Sequence, residues 1–152
     1  MGTKPVGGSD SFGVFDVTAS ALAAERSRLA VIAQNIANAQ TTGNEQTPPY
    51  RRQRAIFETE MAEALQRGRF GGKDGGVAGG VKVHVEGVPG EFPRVQMKGD
   101  PHADKDGWVQ TSNVNIVDEM VDMLDASRSY EANLTALRTW RKMLEQTIEM
   151  AR

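Results

Sequence analysis

Residues 115–152 read NIVDEMVDMLDASRSYEANLTALRTWRKMLEQTIEMAR, and this stretch decides the fold. Steps of three and four along it pick out Ile116, Met120, Met123, Ser127, Tyr130, Leu134, Leu137, Arg141, Leu144 and Ile148; eight of the ten are apolar or aromatic. That spacing draws one narrow stripe down a helix and predicts a seam for another helix. Asn115 is suited to cap the helix, and Asp118 and Glu119 fall in its first turn, where the helix dipole favours negative charge. Asp122 and Asp125 follow, whereas Arg138, Arg141, Lys142 and Arg152 gather late. The gradient complements the dipole, and it would also complement an antiparallel partner of like design.

The other end mirrors this one. Asp10 or Ser11 can cap a helix, and from Phe15 the same spacing gives Phe15, Ala19, Leu22, Arg26, Leu29, Ala33, Ile36 and Gln40, six of them apolar. No glycine or proline interrupts residues 14–39, and alanine recurs. A helix ending near Gln40 is expected. Every proline but Pro5 lies between the two helical stretches, together with most of the 16 glycines. Strands are expected at Arg51–Glu58, at Val81, Val83 and Val85, at Phe92–Lys98 and at Trp108–Val109. Residues 71–80 are too poor in apolar side chains to pack, so a mobile loop is expected. The fold class is therefore α+β: long N- and C-terminal helices forming a coiled-coil-like pair, with a small β-rich insert between them. Residues 1–11 form a flexible lead, 12–42 the N-terminal helix and the segment that ends it, 43–113 the insert, and 114–152 the C-terminal helix. Neither apolar stripe can be covered by so small an insert. The stripes call for helical partners, within the chain or outside it.

Other chemistries find little support. The 18 basic and 20 acidic residues give no broad field for nucleic acid or an anionic membrane. Cysteine is absent, which excludes disulfides and thiolate metal sites. No apolar run is long enough to span a membrane, and residues 1–13 lack the apolar core of a secretory signal. The cluster at 71–80 fails as a phosphate loop, because Asp74 follows Gly72-Lys73 and Arg67 stands where the first glycine is needed. Asp104, Asp106 and Gly107 suit a calcium loop, but His102 would occupy its first position and Asn113 its last. His84 and His102 have no nucleophile or acid at a telling spacing, so no catalytic residue, metal site or cofactor is expected. The run Arg51, Arg52, Arg54 is read as docking onto nearby carboxylates.

Asn35-Ile36-Ala37-Asn38-Ala39-Gln40-Thr41-Thr42-Gly43, with the upstream Ser20-Ala21-Leu22 and Arg28-Leu29, resembles the N-terminal signature of the flagellar axial family of rod, hook and hook-associated proteins. Pro49-Tyr50-Arg51-Arg52, Gly80-Val81-Lys82-Val83, Asp100-Pro101-His102-Ala103-Asp104, Gly107-Trp108-Val109 and Asn113-Val114-Asn115 narrow the resemblance to the proximal-rod members. So do Glu119-Met120-Val121-Asp122-Met123 and Ala126–Asn133. Thr111-Ser112 departs from the Met-Pro usual there. The resemblance implies a structural subunit, not an enzyme, exported by the type III export apparatus without a cleaved signal. It would polymerise within the periplasm as part of the rod, beside itself, other rod proteins and the basal-body adaptor FliE. The signature residues would be Asn35, Asn38, Thr42, Gly43, Ser127, Arg128, Tyr130 and Asn133. The helix–helix assembly interface expected from the seams is Phe15, Leu22, Leu29, Ile36, Ile116, Met120, Met123, Tyr130, Leu134, Leu137, Leu144 and Ile148. Another axial subunit is the nearest alternative; a cytoplasmic helical adaptor or export chaperone would share the helices but need no β insert.

Overall fold

The computed structural model describes residues 10–59 and 80–150, with side chains described for 17–58 and 80–150. Helix α1 spans Asp10–Ala37 and helix α2 spans Ile116–Met150. Five short strands lie between them: β1 Thr42–Gly43, β2 Gln53–Thr59, β3 Val81–Gly87, β4 Arg94–Gln96 and β5 Trp108–Thr111. Two long helices thus flank a small β insert, and the fold is α+β.

The helix ends follow from local chemistry. Asn115 Oδ1 accepts the Val117 N–H at 3.1 Å, an N-cap bond, and the Asn115 carbonyl accepts from Glu119 N–H. Helix α1 stops three residues before the expected Gln40. There the Asn38 N–H is shared between the Gln34 and Asn35 carbonyls, and Ala39 N–H bonds Ile36 O, so the last turn tightens. The Asn38 side chain adds a bond to Gln34 O at 2.8 Å.

The described residues fall into two compact units, and both helices contribute to each. The unit built from 27–56 and 85–127 holds an antiparallel three-stranded sheet in the order β1-β5-β4. Gln110 faces Gly43 on one side and Arg94 on the other, and the neighbouring Val109 is buried. Val31, Ile32, Ala39 and Ala126 are also buried in this unit. Between β4 and β5 the chain turns through Gly99 and Gly107, both at positive φ. Asp104 Oδ1 accepts the N–H groups of Asp106 and Trp108, and Asp100 Oδ1 that of His102. Asp104, one of the residues suited to a calcium loop, therefore serves as a turn acceptor, as Asp100 does.

In the other unit, from 1–26, 57–84 and 128–152, Ala24 is buried, and Ser20 Oγ donates to Val17 O and accepts the Val81 N–H. Strands β2 and β3 pair as a second sheet. Val81 and Val83 are half-buried but Val85 is exposed, so the alternation fades toward the end of β3. Strand β1 was not anticipated, and β4 is shorter and β5 longer than expected. The lead at 1–9, loop residues 71–79 and the Phe15 side chain lie outside what is described.

Candidate functional site

The most concentrated chemistry is a buried polar cluster in the unit built from 27–56 and 85–127. Its centre is Asn35, only 1% exposed, near the end of α1. The Asn35 carboxamide pairs with the Gln53 backbone as a strand partner would: Nδ2 donates to Gln53 O at 2.8 Å, and Oδ1 accepts Gln53 N–H at 2.9 Å. The second Nδ2 hydrogen goes to Glu119 Oε2 at 2.9 Å, and Oδ1 also accepts the Tyr50 hydroxyl at 2.9 Å. All four bonding positions of the amide are filled. A hydrophobe of the same size would leave four polar groups without partners.

Glu119 is fully buried on α2 and is the largest such side chain described. Arg52 Nε donates to its other oxygen, while Arg52 Nη2 reaches Asp122 Oδ2, one turn further along, at 3.1 Å. Asn113 Oδ1 holds the Arg52 backbone N–H at 2.7 Å. Removing one partner of so buried an ion pair typically costs about 3–5 kcal/mol. Burial first, and the Glu119 charge second, raise the Tyr50 hydroxyl above its ordinary value of 10.0, so it remains a donor. One cluster thus ties the end of α1, the segment entering β2 and the first turns of α2 into one register.

The flanking residues shape the backbone around it. Thr41 Oγ1 donates to Asn38 O and accepts the Tyr50 N–H. Thr42 Oγ1 lies 3.4 Å from His102 Nδ1. A Cβ on Gly43 would fall 2.3 Å from Thr47 O and 2.6 Å from Pro49 N, so only glycine fits there without moving the chain. The Ser112 N–H bonds Thr41 O at 3.1 Å, a bond that proline cannot make. An open cleft of about 410 Å³, lined by Asn44, Arg94, His102, Asp104 and Trp108 among others, is the place where a small ligand would be sought. Its charged groups are already engaged: Arg94 with Glu45, His102 with Asp100, and Asp104 with backbone N–H groups. Among the described residues no three His, Asp or Glu groups cluster as metal ligands, and no helix is long and apolar enough to cross a membrane.

Comparison with known proteins supplies the family. A profile described as Flagella basal body rod protein matches residues 15–43, and one described as Flagellar basal body rod FlgEFG protein C-terminal matches residues 105–150. The flagellar basal-body rod protein FlgC of Salmonella typhimurium is 37% identical over 139 residues, covering 90% of this chain and 95% of its own length. The chain belongs to the FlgC family of flagellar basal-body rod proteins. FlgC of Borreliella burgdorferi is 36% identical over 90% of the chain, and FlgC of Bacillus subtilis 35% over 93% of the chain and 99% of its own length. The chain is a structural subunit of the flagellar proximal rod.

Of the residues expected by resemblance to form the signature, Asn35 is the centre of the cluster, and Asn38, Thr42 and Gly43 lie in the turn and strand that follow it. Ser127, Tyr130 and Asn133 are half-buried on α2, and Arg128 is exposed. The seam residues divide. Leu22, Leu29, Ile36, Ile116, Met123, Tyr130, Leu134, Leu137 and Leu144 are half-buried, while Met120 and Ile148 are exposed. The most deeply buried positions of α2, Glu119 and Ala126, sit one residue before the seam positions Met120 and Ser127. Periodicity of apolar residues does not reveal them, since one is a carboxylate and the other a methyl group. The docking of Arg52 onto carboxylates, expected from its sequence neighbourhood, is realised on Glu119 and Asp122.

Proposed function

We propose that this rod subunit polymerises through its terminal helices into the torque-transmitting shaft, using the seam of Phe15, Leu22, Leu29, Ile36, Ile116, Met120, Met123, Tyr130, Leu134, Leu137, Leu144 and Ile148. The observation that carries this is the unequal burial of α2: no described residue after Ala126 is buried, although the stripe of apolar side chains continues to Ile148. An apolar stripe sustained along a helix and left only half-covered is completed by another subunit. Stiffness then comes from interlocked helices. The chain catalyses nothing in this reading. It leaves the cell's interior through the type III export apparatus without a cleaved signal, and it joins the rod in the periplasm beside other rod proteins and the adaptor FliE.

The polar cluster explains how a subunit can travel unfolded and still assemble in one register. In the monomer it organises the end of α1 and the start of α2, and the distal half of α2 orders when neighbours cover it. Leu29→Asp and Leu137→Asp each place a charge in the seam and are expected to abolish rod assembly and swimming. Motile cells carrying both changes would refute the interface assignment.

A further inference from the structure

The open cleft lies over one face of the β1-β5-β4 sheet, and the strand register explains why it is there. Opposed residues of antiparallel strands share a face. Gln110, its partner Arg94 and, two positions along, Trp108 therefore stand on the face toward which Gly43 would present a Cβ. That Cβ would meet Thr47 O, so the turn after Gly43 folds over the same face as a wall. Gly43 itself puts no side chain there, and about 410 Å³ stays open above the strands. Small-molecule sites typically measure about 300–1,000 Å³. Both walls are held by hydrogen bonds. Asn44 Oδ1 accepts the N–H groups of Gln46 and Thr47, and Asn44 N–H donates to Thr47 O. Opposite, Ala103 N–H donates to Asp100 O, and Asp104 N–H to Trp108 O. A cleft with fixed walls needs little ordering when a ligand enters.

The lining suits a ligand without charge. Among the described residues that line it, Arg94 is the one fixed cation, and Glu45 Oε1 lies 3.7 Å from its Nη2. His102 Nδ1 is 3.4 Å from Asp100 Oδ1, and Asp104 Oδ1 accepts the N–H groups of Asp106 and Trp108. A charged ligand would have to displace one of these partners. The groups left over are neutral. The half-buried Gln110 carboxamide, Asn44 Nδ2 and the Trp108 indole N–H form no hydrogen bond among the described residues. Together they supply several donors and one carbonyl acceptor. Trp108 is 44% exposed, so its ring is an apolar platform beside these polar groups. The matching ligand carries hydroxyls around its rim, an apolar face and no net charge.

We infer that this cleft binds an uncharged pyranose sugar, with the apolar face of the ring on the Trp108 indole and its hydroxyls on Gln110 and Asn44. The lining lies wholly within the unit built from 27–56 and 85–127 and includes no residue of the helical seam. The inference therefore does not rest on assembly through the terminal helices.

Amide NMR spectra of the full chain, titrated with glucose and with its trimer cellotriose, test this. Glucosamine and glucose phosphate serve as charged analogues, and sorbitol as a polyol without a ring face. The expected result is saturable shifts from both neutral sugars, confined to residues 43–46, 94, 102–104 and 108–110 and to the Trp108 indole. A Trp140→Phe variant tells that indole signal from the other tryptophan's. Sorbitol should cause no such shifts, and both charged analogues should bind more weakly than glucose. Trp108→Ala is expected to weaken binding about tenfold. Trp108→Phe keeps an aromatic platform and should retain part of it, which preserves the test if the alanine variant does not fold. The inference is overturned if neither neutral sugar gives a saturable shift, or if a charged analogue binds as well as glucose. It is also overturned if a folded Trp108→Ala variant titrates like wild type. A cleft that no sugar enters, in a chain whose Trp108→Phe variant no longer joins the rod, would belong to a neighbouring subunit instead.

Discussion

Replacing Asn35 by alanine removes four hydrogen bonds at once, to Gln53 N–H, Gln53 O, the Tyr50 hydroxyl and Glu119 Oε2. Three are between neutral groups, at about 1 kcal/mol each, and the one to the carboxylate contributes about 2 kcal/mol. Water entering the vacated space recovers part of this, so a loss of about 3–5 kcal/mol is expected, a large share of the 5–15 kcal/mol typical of a folded domain. Asn35→Asp is the sharper probe. Its carboxylate still accepts from Gln53 and Tyr50, but it turns a second oxygen toward Glu119 and Gln53 O, where a donor stood. Two buried carboxylates then meet without a proton between them. At neutral pH this variant is expected to lose more than the alanine variant. It regains stability on acidification, as one carboxyl takes up a proton and donates it to the other. Urea denaturation followed by far-ultraviolet circular dichroism, repeated across pH, measures both. An alanine variant within about 1 kcal/mol of wild type, or an aspartate variant that tracks the alanine variant at every pH, refutes Asn35 as the donor that ties α1 to α2.

Gly43→Ala drives a methyl group into Thr47 O and Pro49 N, both backbone, and is expected to destabilise by about 1–3 kcal/mol in the same urea assay. Tyr50, with its value raised in the folded state, contributes stability that is complete below pH 10.0 and is lost as pH rises through the higher folded value. Alkaline unfolding should therefore be shallower in Tyr50→Phe than in wild type, and identical slopes would contradict the part-buried, hydrogen-bonded hydroxyl. Hydrogen exchange on the purified monomer should show slow amides from Val31 to Ala37 and from Glu119 to Ala126, with fast exchange along α2 beyond Arg128. Full protection of both helices from end to end would sink the proposal that their distal parts order on assembly.

The long helices were legible because their signal is repetitive: caps, alanine content and apolar spacing accumulate over many residues and agree. The strands were legible as places but not as limits. Arg51 and Arg52 carry strand-like neighbours, yet their side chains are committed to Val88 O, Gly90 O, Glu119 and Asp122, and β2 begins only at Gln53. Strand β1 is two residues long, and nothing local marks it; it exists because Thr42 and Gly43 lie against Thr111 and Gln110. The cluster was half legible. Asn35 and Gly43 stood out by resemblance, and Arg52 by its wish for a carboxylate. By sequence Glu119 is a first-turn acid that the helix dipole favours. Its complete burial depends on Asn35 and Arg52 arriving from residues 84 and 67 positions away along the chain, which no local window contains.

A density map of the intact basal body from the organism's own flagellum tests the central claim most directly. The account predicts this chain in the proximal rod, with α1 and α2 packed against neighbouring subunits along the seam and the β insert outside the helical tube. A rod that is complete without the chain, or one in which the β insert makes the subunit contacts while α1 and α2 face solvent, would contradict it.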